Sequence, residues 1–590
     1  MSDTAPRDLA PTPAGARPRR TRAPINTSGG RATSLEEFRA ARLVIARSGL
    51  LGPLNGLIDG ATGRKRSLSV EGFLVALQVN GLRRHHQAHL TEIARTINGF
   101  TDQQRDVLGI IGWAPGESYD RTDRFFNLLA DALEQGSTAV IDGVEVAIDS
   151  VWYLDGFIRG SLHDLPAASK SQAVDWTDVR TWARFQGSVD ETDLRARLDE
   201  DDEPGTPPAP SQPAKKRRRA RVLGKGADGR NIYTKDPDAR GGHHSATGSR
   251  DAGEFVGYDL HLAVQARDAG WADGIERLHL GHDVPPVITM ASLVSAGTRP
   301  DDAVVPKLIA EKDAGLPIED LIWDRGYSQL RPETTSYPLS RASIHQTFRP
   351  KDPQRIERTF SEYAALIEGH LVSTHAPEHL RRLLPMPPMN ATAEETAEYE
   401  RVFNELARYR FERLNKPDAD GTTRWMCPFH AGRLRTRAVP ETMRASRDAP
   451  LIDLPDGERC CDGTVSVQAA ELPHWQRFLP GTTAWRTSYN RRQVVEGVNG
   501  MLKGGFANIA HKFFRVFGLT KMRILLAATI VGYNLEAIRS FLAKKIAERT
   551  VSPPKRTRKK RRKGTWTQIL GSPDPSSDDP SGSGRAPPPT

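Results

Sequence analysis

The sequence predicts an α/β protein, a mixed sheet flanked by helices, with a helical module in front and a large insertion before its last helices. Three observations predict it. Apolar runs of strand length at 144–148, 257–264, 284–290, 321–323 and 343–348 alternate with helical periodicity at 301–311, 489–503 and 520–545. Residues 35–136, by contrast, carry helical patterns alone. Of the 590 residues, 38% are hydrophobic and 26% charged, a balance that supports a packed core.

Residues 1–34 are rich in Pro, Arg, Ala, Thr and Gly without apolar periodicity, and read as a disordered basic arm. Within 35–136, Ser69 precedes a helix with Glu71 in its first turn, and Thr101 and Gln104 have capping-box spacing. Phe126, Leu129 and Leu133 recur at helical steps. Arg83-Arg-His-His86 forms a basic turn between two of these helices, and the module is expected to bind DNA.

Residues 137–351 are expected to build the first part of the sheet. The alternation Val144, Val146, Ile148 predicts a strand that leaves Asp149 at its C-terminal end. Residues of about 155–230 read as a linker or insertion, with an acidic, Pro-rich stretch from Asp201 and a basic run Lys215–Arg219 that is a solvated loop or a non-specific DNA clamp. In Gly257–Val264, Tyr258, Leu260, Leu262 and Val264 alternate with Asp259 and His261, which predicts a strand with one dry and one polar face. The run Val284–Met290 extends the sheet, and Asp301–Glu311 is a capped amphipathic helix. Leu321-Ile-Trp-Asp324 is a short buried strand that stops at an Asp and turns through Gly326. Ser343–Pro350 gives one more strand, with Arg349 and Lys351 at its exit.

Residues 352–484 are charged and irregular, hold all three cysteines, and form the insertion, with a capped helix starting at Thr392. Residues 485–546 return two helices to the core. The 547–590 tail is Lys/Arg-rich, then Pro/Ser/Gly-rich, and reads as disordered.

The formal net charge of +10 points to a polyanionic partner. Three cysteines cannot build a disulfide framework, which fits a reducing compartment. No stretch approaches the roughly 18 apolar residues that span a bilayer. The expected location is cytoplasmic and nucleoid-associated, with no membrane partner.

The chemistry centres on Tyr489–Lys503. As a helix it places Tyr489, Arg492, Glu496 and Lys503 within roughly 60° of one another, with Asn499 at the edge of that stripe. Val494, Val495, Val498 and Leu502 form the opposite, docking face. Such a stripe is either a solvated ion-pair network or a site in which Glu496 holds a divalent metal while Arg492 and Lys503 face phosphates. Partner carboxylates decide between the two. Asp149 and Asp324, each at a strand end, can converge with Glu496 on two Mg²⁺ or Mn²⁺ ions about 3.5–4 Å apart.

Tyr489-x-x-Arg492-x-x-x-Glu496 followed by Lys503 resembles the Tyr-Arg-Glu-Lys signature of bacterial insertion-sequence DDE transposases. Asp324-Arg-Gly-Tyr-Ser looks like that family's second-aspartate motif, Ala147-Ile-Asp149-Ser like its first, and Gly257-Tyr-Asp-Leu-His like the strand between them. The resemblance covers about residues 140–350 and 485–540. It implies an RNase H-like core in which Asp149, Asp324 and Glu496 are the metal-binding catalytic triad. It also implies DNA-phosphate contacts from Arg492 and Lys503, with Tyr489 packing or hydrogen-bonding at the same DNA end, and Arg349 and Lys351 are added as DNA-binding residues from the strand exit. It further implies cleavage at terminal inverted repeats, strand transfer into target DNA, and a homodimer on the DNA. An RNase H-like nuclease that cuts without joining, or a domesticated, non-catalytic DNA-binding relative, are the alternatives.

Cys427-Pro-Phe-His430 and Cys460-Cys461 contain zinc-ligand types. Adjacent cysteines chelate one ion awkwardly and no second spaced pair exists, so zinc is not expected. His243, His244 and His261 read as satisfied polar residues on a sheet face.

Overall fold

The computed structural model describes residues 27, 30–58, 66–183, 186–189, 221–225, 231–244, 253–272, 275–351, 357–437 and 449–550, apart from positions 142, 325, 328–329, 383, 386, 388–390, 416, 419, 456–457, 462, 473 and 510–512. Most of the basic arm, the Asp201 and Lys215–Arg219 stretches and the tail beyond 550 lie outside the described residues. The chain divides into two compact units, one through Phe541 and one from Leu542.

The strands in chain order are β1 (Ser137–Ile141), β2 (Val144–Ile148), β3 (Ser171–Arg180), β4 (Gln186–Val189), β5 (Arg221–Lys225), β6 (Asn231–Thr234), β7 (Arg240–His244), β8 (Gly253–Ala266), β9 (Ala269–Ala272), β10 (Ile275–Leu280), β11 (Ile288–Ser295), β12 (Asp320–Trp323) and β13 (His345–Thr347). The central sheet has the order β11-β8-β3-β12-β13, with β7 also paired to β8. β3, β8 and β11 are antiparallel, whereas β12 runs parallel to β3 and β13 parallel to β12. The protein is thus mixed α/β, as expected.

Both faces of this sheet are covered. Ala173, Val179, Tyr258, Leu260, Leu262 and Ile322 point into one core, and Val174, Ala263, Met290, Leu321 and Trp323 into the other. The helix Pro300–Asp313 starts on a proline, whose missing N–H costs nothing at a helix N-terminus, and closes the second face through Val304, Val305 and Leu308. Covering both faces also buries Asp259 and His261, so the polar face expected for β8 is dry.

The N-terminal helices do not form a separate domain. Phe38, Phe73, Phe126 and Leu129 share one hydrophobic core with β8 and with Leu525, Leu526 and Ile530 of the helix Leu519–Thr550. The expected capping devices are present: Ser69 Oγ accepts from Gly72 N, and Thr101 and Gln104 form a capping box. Helices Val70–Leu82 and Leu519–Thr550 cross so closely that a Cβ on Gly81 or Gly532 would meet the other helix's backbone oxygen, at Ala528 or Gly81. The basic turn is tied both to the first helix and to Leu519–Thr550. Arg83 pairs with Glu37, Arg84 with Glu536, and buried His86 bonds Thr529 Oγ1 at 3.0 Å. The helix Leu519–Thr550 is long and apolar enough to cross a membrane, contrary to the sequence expectation, but 67% of its apolar window is buried in the protein.

Two boundaries move. β1 and β2 form a two-stranded hairpin outside the central sheet, and Val144 at 62% exposure is not a core residue. The stretch expected to be a linker from about 155 contains the helix Ser150–Leu162 and the central strand β3. The insertion has its own hydrophobic core between Ala364 and Leu479, and its helix Ala393–Leu406 begins with the Thr392–Glu395 capping box.

Candidate active site

Asp149 is not part of the constellation expected for it. It is the N-cap of the helix Ser150–Leu162, its Oδ1 accepting from Val151 N and Trp152 N, each at 2.8 Å. The charged groups it acts on are Asp155 and Arg523. An Asp at the end of a strand and the start of a helix satisfies orphan N–H groups.

The acid that faces Asp324 and Glu496 is Asp175, in the middle of β3. β12 pairs with β3 in parallel, Trp323 opposite Val174, so Asp324 emerges one residue past β12 beside Asp175. Asp175 shares its side of β3 with Ala173 and Val179, the side on which the helix Gln493–Gly500 seats Val495 and Val498. The same helix presents Glu496. Burial pushes the Asp175 carboxyl up to about 6, with the Asp324 and Glu496 carboxylates adding to the rise and Trp176 N–H and Arg492 opposing it.

Arg492 is the cation that holds the three acids. Its Nη2 donates to Glu496 Oε1 at 2.5 Å, and its Nη1 lies 3.7 Å from Asp324 Oδ1. Burial works against its charge, but Tyr489, Asp324, Glu496 and Asp175 outweigh it and hold the guanidinium above its ordinary pKa. Arg492 also sits over the Tyr489 ring, 5.7 Å from the centroid, and that ring stacks on Trp485 at 4.8 Å. Arg349, at the exit of β13, also acts electrostatically on the Tyr489 hydroxyl.

The signature segment is not one uniform helix. The α-helix Thr483–Tyr489 passes through a 3₁₀ turn, Asn490–Arg492, into the α-helix Gln493–Gly500 and then a π turn, Met501–Gly505. The widened last turn turns Lys503 toward β3, where Nζ donates to Asp178 Oδ1 at 2.8 Å. Asn499 Nδ2 donates to Asp175 Oδ2 at 3.2 Å, and its Oδ1 is buried with no protein partner.

Two further groups fix this geometry. Arg491, buried, pairs with Asp320 at 2.5 Å and donates to Ser171 Oγ and Arg267 O, each at 2.9 Å, which ties the signature segment to the starts of β3 and β12. Tyr327 lies under Asp324: its N–H donates to Asp324 O at 3.0 Å, its ring stacks on Trp323, and its hydroxyl bonds His261 Nδ1 at 2.8 Å. Burial drives the His261 pKa down to about 3, so the ring is neutral. His243 is exposed on β7, away from this buried pair, and the His244 side chain lies outside the described residues.

Sequence reasoning missed Asp175, Asp178 and Arg491. The available signal was the run Ala173-Val-Asp175, apolar residues leading into an Asp just as in Leu321-Ile-Trp-Asp324. It also set zinc aside, yet Cys427, His430, Cys460 and Cys461 bring their ligand atoms within 4.8 Å of one another. No protein-family model matches the chain, and neither curated proteins nor solved structures give a match.

Proposed function

We propose that the chain is a DDE-type DNA transposase, a divalent-metal-dependent phosphoryl-transfer enzyme whose acidic triad is Asp175, Asp324 and Glu496. One observation carries the reading. Three antiparallel strands followed by two parallel ones, in the order β11-β8-β3-β12-β13, have an acid on the central strand, a second just past its parallel neighbour, and a third on the helix packed across them. That strand order is the one expected of an RNase H-like core, and the Tyr489–Lys503 pattern sits on the helix where such a core needs its last acid.

The residues fit hard cations. Three carboxylates meet there, one with its pKa raised to about 6 by burial and by its like-charged neighbours, beside the unpartnered Asn499 Oδ1. Asp175, Asp324 and Glu496 would hold Mg²⁺ or Mn²⁺. When bound, a pair of such ions activates water or a DNA 3′-hydroxyl and stabilises the leaving oxygen of an in-line displacement at phosphorus. The chain's own residues supply the rest. Arg492, freed from Glu496 and Asp324, offers a bidentate fork to a backbone phosphate, and Lys503 a point charge. Tyr489 braces Arg492 through its ring. Arg349 and Lys351 extend the cationic edge along the exit of β13. The partner is double-stranded DNA, terminal inverted repeats first and target DNA second, held by a homodimer. The N-terminal helices support the core, with His86 buried against Thr529 and Arg83 paired with Glu37, while Arg84 stays exposed beside Glu536.

The test is incubation of the full chain and Mn²⁺ with a supercoiled plasmid carrying the DNA that flanks its coding region. Joined products support the transposase. Cut but unjoined ends would make it a nuclease, and a gel shift without cleavage a DNA-binding relative.

A further inference from the structure

The insertion buries Cys427, Cys460 and Cys461 in its core, and the topology explains why they meet. The antiparallel strands Thr423–Met426 and Thr464–Val467 pair with Met426 opposite Thr464, so the chain leaving one lies beside the chain entering the other. Cys427 N donates to Gly463 O at 3.1 Å across that junction. After Cys427 the backbone folds back, Ala431 N donating to Cys427 O at 2.8 Å and Gly432 N to Phe429 O at 3.1 Å, which swings His430 toward Cys460 and Cys461. His430 Nδ1 is 3.3 Å from Cys461 Sγ and 3.8 Å from Cys460 Sγ, and the two sulfurs are 3.7 Å apart.

We propose that Cys427, His430, Cys460 and Cys461 form a structural zinc site in which three thiolates and one imidazole nitrogen enclose a single Zn²⁺. Bond lengths of about 2.3 Å to sulfur and about 2.0–2.1 Å to nitrogen give tetrahedral edges of about 3.8 Å between sulfurs and about 3.5 Å between sulfur and nitrogen. The observed 3.7, 3.3 and 3.8 Å separations bracket those edges. A disulfide needs about 2.05 Å, so Cys460 and Cys461 are separate thiols. The awkwardness of adjacent cysteines is relieved locally. Gly463 takes φ +86°, a turn only glycine makes cheaply, and its N–H donates to Cys461 Sγ at 3.1 Å, the kind of bond that orients a thiolate. Four protein ligands leave no open position, so the site holds structure and does not perform chemistry. On binding, three thiol protons pass to solvent and the His430 Nδ1 lone pair closes the fourth bond. The ion would clip Cys427 and His430 to Cys460 and Cys461 within a small core. Every ligand belongs to the insertion, so the proposal stands or falls separately from the transposase reading.

The test is the metal content of the full chain, purified from zinc-supplemented cells without chelators. About one zinc per chain is expected, released by a mercurial thiol reagent, and Co²⁺ exchange should give the intense visible bands of a tetrahedral, thiolate-rich centre. Cys460→Ser should lose the metal. Should that variant fail to fold, His430→Cys should keep one zinc and shift the Co²⁺ bands to those of four thiolates. Less than about a tenth of an equivalent in the native chain, weak octahedral Co²⁺ bands, or undiminished zinc in folded Cys460→Ser and Cys427→Ser would each overturn the proposal.

Discussion

Asp175→Asn should stabilise the protein while destroying its proposed activity. In the native chain the Asp175 carboxyl titrates at about 6, raised first by burial and then by Asp324 and Glu496, whereas in the unfolded chain it titrates at about 3.9. Between those values the native state holds a proton that the unfolded state has released. Stability therefore falls as pH rises from about 4 to about 6, and above that the whole cost is present. Two pKa units correspond to about 3 kcal/mol, an upper bound for a side chain that retains some solvent contact. Asparagine removes the charge and keeps an oxygen for the Asn499 Nδ2 donor. Urea denaturation followed by tryptophan fluorescence, in buffer without added magnesium or manganese, should show the variant more stable by up to about 3 kcal/mol at pH 7.5 and equal to the native chain near pH 4. Manganese at about a hundred times its Kd should return about 2.7 kcal/mol to the native chain and nothing to the variant. A variant no more stable at pH 7.5, or an advantage that persists at pH 4, would refute the reasoning.

Three other perturbations probe the frame. Arg491→Met leaves Asp320 buried without its partner, and loss of about 3–5 kcal/mol in denaturation is expected; a loss under about 1 kcal/mol would mean the pair is dispensable. Lys503→Ala should weaken DNA binding and lower the slope of log K against log salt by about one unit, and an unchanged slope would confine Lys503 to its bond with Asp178. Gly532→Ala places a methyl against Gly81 O at the crossing of two core helices, so a lower melting temperature is expected, while an unchanged one would show that the crossing can open.

Much of the frame was legible because its elements obey simple periods. β8 alternates apolar and polar residues, β12 is a short apolar run, and capping boxes fixed the starts of helices at Thr101 and Thr392. The central strand escaped because its polar residues are buried against polar partners. In Ser171–Arg180, Gln172 is buried and its Oε1 accepts from Thr289 Oγ1 at 2.7 Å, while Asp175 and Asp178 are matched by Asn499 and Lys503 from far along the chain. Alternation cannot reveal a strand whose polar positions are satisfied by partners far along the chain. Asp149 misled for the complementary reason, since an apolar strand running into an Asp looks alike whether the carboxylate caps a helix or faces another acid. The four Cys and His residues were visible by type, but only the pairing of Met426 with Thr464 brings the two halves together.

The most direct measurement compares Asp175→Asn with Asp149→Asn in the Mn²⁺-dependent plasmid assay. Asp175→Asn, like Asp324→Asn and Glu496→Gln, should abolish cleavage and leave gel-shift binding of the flanking DNA intact. Asp149→Asn, which keeps an oxygen for the Val151 and Trp152 amides, should cleave at nearly the native rate. Cleavage that survives in Asp175→Asn and disappears in Asp149→Asn would contradict the account.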